Sequence, residues 1–269
     1  MKRIIKRTIG IVVLTFFVLL SGLLTIVLFP QPLFAHKLEY KKFNVYSDQV
    51  VDKNIEVILT NAYSLVEKSE LQDRSYQYDV FFSLGNVYNR FEDLQGKGPA
   101  ARTTAGNIVF KVRVDVKNNK AYGPISTINL TELLTHEMVH CLQANKLGLW
   151  NMNQFNHPPY WKLEGYPEYI SRQAKLKNGN YSLTNEIKRF IELESKSKDG
   201  TVEVSEEHFM PVVYYKGRLM IEYLMDIKGM TYTEILKDKR TEDQVFQEML
   251  DSTLNPCLPA GRLNLKPDL

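Results

Sequence analysis

Residues 8–29, TIGIVVLTFFVLLSGLLTIVLF, contain no charged side chain. Hydrocarbon offers a peptide group no partner, so a segment entering a bilayer must satisfy its own backbone, and about 20 apolar residues do so as a helix that crosses the core. The run therefore predicts a membrane-crossing helix and obliges the rest of the chain to fold as a separate, water-facing body. Lys2, Arg3, Lys6 and Arg7 stand before it. The positive-inside tendency puts this tip, residues 1–7, in the cytoplasm and the remainder outside. Lys37, Lys41 and Lys42 on the far side act against that bias. A cleaved secretory signal is the competing reading, because residues 33–35 (LFA) could serve as a cleavage site. Secretory apolar cores run only about 7–15 residues, so the longer span favours a retained anchor over a secreted product.

The chain has 269 residues and a formal charge of +3; no acidic residue precedes His36, so without the four basic residues of the tip the balance is −1. The outer part thus lacks the basic excess on which nucleic-acid binding depends. Its length suits one domain of moderate size with a buried core. Cys141 and Cys257 are the two cysteines, which rules out a disulfide-rich scaffold and allows one bridge at most. Cys141 falls in a predicted helix, where a buried thiol is expected.

A spacer, residues 30–41, follows the anchor, and residues 42–47 (KFNVYS) predict a first strand. Within residues 52–68, Ile55, Ile58, Ala62 and Leu65 recur at intervals of three and four, the stripe of an amphipathic helix. Residues 78–84 (YDVFFSL) predict a buried strand. Gly96, Gly98 and Pro99 mark a loop, and in residues 107–114 Ile108, Phe110, Val112 and Val114 alternate with Lys111 and Arg113, predicting a half-buried strand. From residue 129 the pattern is almost wholly helical: one helix to about Gln143, one from Trp161 to about Lys175, an amphipathic one over residues 183–194, and two or three after Pro211. Residues 253–269 read as an irregular tail. Strands mixed with helices first and helices afterwards predict an α+β fold, with residues 42–252 as the folded domain.

The chemistry concentrates in residues 129–142, NLTELLTHEMVHCL, which hold His136-Glu137-Met138-Val139-His140, an H-E-x-x-H sequence. Asn129 is a candidate N-cap with Glu132 at the third helical position, which puts the motif in mid-helix. Positions i and i+4 share a helix face, so His136 and His140 can direct imidazole nitrogens at one ion about 2.0–2.1 Å away. Glu137, next to the first histidine, is placed to take a proton from a water on that ion and return it to a leaving amine. Leu133, Leu134, Met138, Val139, Cys141 and Leu142 are all uncharged, so the polar groups stand in an otherwise apolar helix. Closed structural zinc sites recruit four protein ligands rich in cysteine, and no such set is in place; two histidines and a carboxylate would leave one position open.

Downstream candidates for the third ligand are His157, Glu164, Glu168 and His208. The metzincin arrangement needs a glycine and a further histidine where this chain has Gln143 and Lys146. Residues 159–169, PYWKLEGYPEY, instead resemble the P-x-W-x-x-E-G-x-A-E-Y stretch of gluzincin metallopeptidases, closest to the small membrane-associated or secreted peptidase-MA-like members. The resemblance implies a zincin-like domain, a small mixed sheet with the motif helix and a helical C-terminal half. It implies Zn2+ held by His136, His140 and Glu164, with Glu137 as catalytic base. Glu168, one turn after Glu164, corresponds to a carboxylate that holds a ligand histidine from behind; its other reading is a solvated surface charge. Where the pattern has alanine this chain has Pro167, which a helix accepts near its first turn, so the departure bears on where that helix starts.

Residues 214–215, 223–224, Gly229 and residues 242–246 are similar to the family's C-terminal half, whose tyrosine donor to the reaction's oxyanion makes Tyr214 the candidate here; the other reading of Tyr214 is a packed aromatic. The resemblance also implies that residues 107–114 are the sheet edge on which an extended peptide could pair. The expected activity is hydrolysis of peptide bonds in a peptide or protein substrate, by a body anchored in the membrane and facing out of the cytoplasm. Two rivals stand beside it: a zincin-fold ectodomain that binds or scaffolds without catalysis, and a zinc hydrolase of cell-wall amide bonds.

Overall fold

The computed structural model describes residues 2–93, 98–124, 126–148, 151, 156–176, 179, 181–197, 199–205 and 208–254. Gly96 of the expected loop, Cys257 and residues 255–269 of the expected tail lie outside the described residues. The chain divides into two compact units, residues 1–156 and 157–269. It is α+β, with one apolar N-terminal helix, α1 (Lys2–Leu28), of which Lys6–Leu28 are long and apolar enough to cross a membrane.

After α1 the first unit continues through β1 (His36–Tyr40), β2 (Phe43–Ser47), α2 (Ile55–Val66), β3 (Tyr78–Phe82), α3 (Val87–Asp93), β4 (Ala101–Thr104) and β5 (Asn107–Phe110). These five strands form one sheet in the order β1-β2-β3-β5-β4. β2, β3 and β5 are parallel, and β1 and β4 close the two edges in antiparallel pairing. β1 lies in what reads as spacer sequence. HKLEY has no apolar alternation and faces mostly water; it becomes a strand because Lys41, at φ 51°, and Lys42 turn the chain so that Tyr40 pairs with Phe43. Lys37 and Glu39, paired at 2.6 Å, put charge on that edge and oppose pairing with a second chain.

Residues 107–114 are not one half-buried strand. β5 ends at Phe110 with all four of its residues buried, and β6 (Arg113–Asp115) opens a separate antiparallel meander with β7 (Lys120–Tyr122) and β8 (Thr127–Asn129). Lys111 sits where the chain leaves one sheet, and Arg113 where it enters the other. β5 is not an edge either, because β4 lies outside it. Ala105 and Gly106 join the two with φ 50° and 85°, the left-handed pair that suits a two-residue hairpin turn.

Rows Val45-Val80-Ile108 and Tyr46-Phe81-Val109 run across β2, β3 and β5 on opposite faces. The first face is covered by α2, whose Ile55, Ile58, Ala62 and Leu65 are buried as their spacing predicts and whose Tyr63 ring meets Phe43. There α2 packs against α4 (Leu130–Leu147), which also contacts β4 and β5.

The second unit is not purely helical. Between α7 (Leu183–Lys196) and α8 (Val212–Glu222) stands a hairpin of β9 (Thr201–Ser205) and β10 (His208–Pro211), preceded by α5 (Tyr160–Ser171) and α6 (Gln173–Leu176). After a π-helical turn, Tyr223–Ile227, come α9 (Tyr232–Lys237) and α10 (Glu242–Leu254). Burial makes α7 amphipathic as expected, with Ile187 and Phe190 inside. Arg218 of α8 is 2% exposed and gives its guanidinium to Glu222 at 2.9 Å and to Glu186 of α7 at 3.1 Å, which locks the two helices by charge-assisted bonds.

Pro167 does not mark the start of α5, which begins at Tyr160, and the ring sits in the helix interior. Proline there removes the donor to the Leu163 carbonyl. The neighbouring Lys162 carbonyl accepts from Tyr232 Oη at 3.1 Å, so α9 helps hold this stretch of helix. α5 and α8 approach at backbone distance, where a Cβ built on Gly165 would lie 2.5 Å from the Gly217 carbonyl and one on Gly217 would lie 2.8 Å from the Trp161 carbonyl oxygen.

An exposed helical glycine replaced by alanine gains up to about 1 kcal/mol. Gly165→Ala and Gly217→Ala should do the reverse, each costing on the order of 1–3 kcal/mol because backbone must move to admit the methyl. Urea unfolding of the detergent-solubilised chain measures this, and a gain in midpoint would mean that the helices do not approach as described.

Candidate metal centre

The motif helix has a firmly built start. Asn129 accepts from the Glu132 amide at 3.0 Å, the expected N-cap, while the Asn119 side chain accepts from the Thr131 amide at 2.9 Å and its hydroxyl at 3.0 Å. Asn119, at φ 54° in the β6–β7 turn, ties the first turn of α4 to the meander. Eight residues from Thr135 to Gln143, with only His140 excepted, are buried, so the H-E-x-x-H segment runs through the interior.

One turn apart, His136 and His140 bring their Nε2 atoms to 3.0 Å. Two nitrogens about 2.0–2.1 Å from one tetrahedral ion lie roughly 3.3–3.4 Å apart, so the pair already has nearly the span of two ligands. Ligand atoms of His136, His140 and Glu164 all lie within 4.8 Å of one another, and this group could hold a metal ion. His136 and Glu164 are buried and His140 is half-buried. The donor set is chemically apt: two imidazoles and one carboxylate satisfy a borderline divalent cation and leave room for a further ligand.

The His140 tautomer can be read from its other nitrogen. Nδ1 lies 2.7 Å from Gln143 Oε1, an atom that only accepts, so Nδ1 carries the hydrogen and Nε2 presents its lone pair. Gln143 is thus a partner of His140 that motif reading does not name, although its position three residues later on the same helix face is a signal for it.

Glu137 is 5% exposed, and Thr103 Oγ1 donates toward its Oε2 at 2.8 Å and its carbonyl oxygen at 3.0 Å. Thr103 belongs to β4, an unforeseen strand, so nothing in the sequence pointed to it. Cys141, fully buried beside these groups, has its thiol pushed up to about 12, chiefly by burial and further by the Glu137 charge. It stays protonated and serves as packing, as its helical position predicts.

Among the other candidates, Glu168 is buried rather than solvated, and its carboxylate accepts from Arg172 Nε at 3.1 Å, a partner not anticipated for it. His157 turns its Nδ1 to the Pro158 carbonyl at 2.6 Å, and His208 pairs with Ser205 in the second unit's hairpin; neither belongs to the three-residue group. Tyr214 is half-buried on α8 with its hydroxyl 3.3 Å from that of Tyr160. Burial, with the Glu164 charge adding to it, holds the Tyr160 phenol above its ordinary value, so it remains a donor. Tyr160, one turn before Glu164, was overlooked in the sequence.

Gln143→Leu keeps the volume and removes the acceptor. It should weaken metal binding about 10–100-fold, read by competition with a chelator of known affinity, while Gln143→Glu should restore most of the loss. Unchanged affinity in the leucine variant would show that Gln143 does not set the imidazole. No protein-family model matches the chain and no curated protein matches it, so what this centre does has to follow from the chemistry of its own residues.

Proposed function

We propose that the chain is a membrane-anchored, zinc-dependent peptidase of the gluzincin type, with its folded body outside the cytoplasm. The observation that carries this reading is the convergence of His136, His140 and Glu164 within 4.8 Å, with Glu137 adjacent to the first histidine on the same buried helix. Zinc is the cation that this donor set favours, and when bound it supplies Lewis acidity to a water and to a substrate carbonyl.

The remaining work falls to the chain's own groups. His140 offers Nε2 because Gln143 holds its proton at Nδ1. Glu137 takes a proton from the attacking water as its oxygen bonds to the carbonyl carbon, then delivers that proton to the nitrogen as the C–N bond breaks. Thr103 fixes the direction of that carboxylate. Tyr160 and Tyr214 are paired donors of the kind that stabilise an oxyanion. A peptide substrate is supported by the placement of β4, which ends the sheet and carries Thr103 next to the base, so that an extended chain added along it would pass Glu137.

Glu137→Gln is expected to retain one zinc per chain by elemental analysis and to lose hydrolysis of a peptide library. Glu164→Gln is expected to come off purification depleted of metal. Thr103→Val removes one hydrogen bond to a charged group, worth about 1.5–3 kcal/mol. It should lower kcat/KM by roughly ten- to a hundredfold with zinc content intact. Full activity in the Glu137 variant would sink the assignment of the base, and turnover of peptidoglycan fragments but not peptides would move the reading to amide bonds of the cell wall.

A further inference from the structure

The juxtamembrane segment is part of the first unit's core. On the sheet face formed by Tyr46, Phe81 and Val109, the packing is completed by Tyr88 of α3 together with Ile26, Leu33 and Phe34. The Phe34 ring lies 5.2 Å from Phe81 and 6.2 Å from Tyr88. Polar residues of the same face hold the backbone that leads there. Asn107 Nδ2 donates to the Leu28 carbonyl at 3.2 Å, Gln31 Nε2 to Asp79 at 3.1 Å, Tyr88 Oη to the Val27 carbonyl at 3.3 Å, and Asn86 Nδ2 to the Leu33 carbonyl at 2.9 Å.

The carbonyls of Val27 and Leu28 belong to the last turn of α1. Lys6–Leu28 rise about 35 Å at 1.5 Å per residue, against a hydrocarbon core of about 30 Å. A helix centred on the core therefore reaches the headgroup boundary within its final turns, where the folded unit already grips it. No stalk separates the two. Large apolar side chains are exposed around the same point. Asn86 also binds Asp48, so the loops after β2 and β3 meet at Leu33. Among the described residues of this unit beyond α1, five large apolar side chains are exposed, and four of them lie at the helix exit, in these loops or at the start of α3: Phe29, Val50, Leu84 and Val87. The fifth, Val57, is on α2, which covers the opposite face.

We propose that the first unit is seated on the lipid surface, with Phe29, Val50, Leu84 and Val87 entering the interfacial layer of the bilayer that holds α1, and that residues 26–34 are retained because they complete the sheet's core. This rests on the reading of α1 as a membrane anchor. Cleavage at residues 33–35 would strip Ile26, Leu33 and Phe34 from the sheet and leave Tyr46, Phe81 and Val109 covered on this face by Tyr88 without them. Apolar side chains fixed around a helix at its exit have hydrocarbon as their nearest apolar environment, which is the geometry of interfacial anchoring.

The test uses the full chain, with Cys257→Ser, in phosphatidylcholine–phosphatidylglycerol vesicles; Cys141 is buried and does not compete for label. Single variants Val50→Cys, Leu84→Cys, Val87→Cys and the control Val57→Cys are labelled with an environment-sensitive fluorophore. The expected result is blue-shifted emission at the first three, quenched at least twofold by spin-labelled lipid, and water-like emission at residue 57. If the chain stays in carbonate-washed membranes with an intact N-terminus while all four labels report water, the seating is wrong and the anchor stands. Recovery of a folded, soluble chain beginning near residue 36 would overturn both.

Discussion

A helix that carries two imidazoles and a carboxylate through a protein interior sets the terms for what surrounds it. Each polar group taken from water needs a partner, or it opposes folding by several kcal/mol. Around α4 the partners come from different parts of the first unit: Asn119 and Asn129 at its start, Thr103 from the sheet edge on Glu137, and Gln143 from the helix itself on His140. The apolar side of the same helix is met by α2 and by β4 and β5. The sheet that supports the helix therefore also orients its buried carboxylate, and fold and candidate site share one set of contacts.

Glu164 is set by a different constraint. The glycine that follows it brings α5 against α8 at backbone distance, and Gly217 answers from the other helix. Side chains on either residue would force the helices apart, which makes the glycine after Glu164 a packing requirement. Pro167 is tolerated two residues later because neighbouring groups hold the helix. Tyr232 bonds the Lys162 carbonyl, and the Lys162 ammonium reaches the Asp238 carbonyl at 2.6 Å, so α5 is tied to both sides of α9.

What the sequence disclosed follows from which signals are local. The motif helix was legible because its cap, its period and its polar residues lie within one short stretch, and the same holds for α2 and α7. β1 and β4 were not, since an edge strand gains its hydrogen bonds from a neighbour and needs no apolar pattern of its own. The misreading of residues 107–114 has the same origin: two strands from different sheets follow one another and their alternation looks continuous. Gln143 and Tyr160 stood at helical spacing from His140 and Glu164 and could have been named. Thr103, 34 residues from Glu137, could not, because only the β4–β5 hairpin brings it there.

The apolar N-terminal run has a second role that hydropathy alone does not disclose. Ile26 and Phe34 lie on either side of the helix exit, yet both pack against the one cluster formed by Tyr46, Phe81, Tyr88 and Val109. The first unit thus takes part of its core from the end of the apolar helix and the segment that follows it. That segment is made first, and the strands it covers are made later. The face holding Tyr46, Phe81 and Val109 therefore closes against residues that precede its strands in the chain, from the last turn of α1 to Phe34. A sheet detached from α1 would expose part of the apolar row that the helix end covers, so the helix is a structural part of this unit as well as an apolar span.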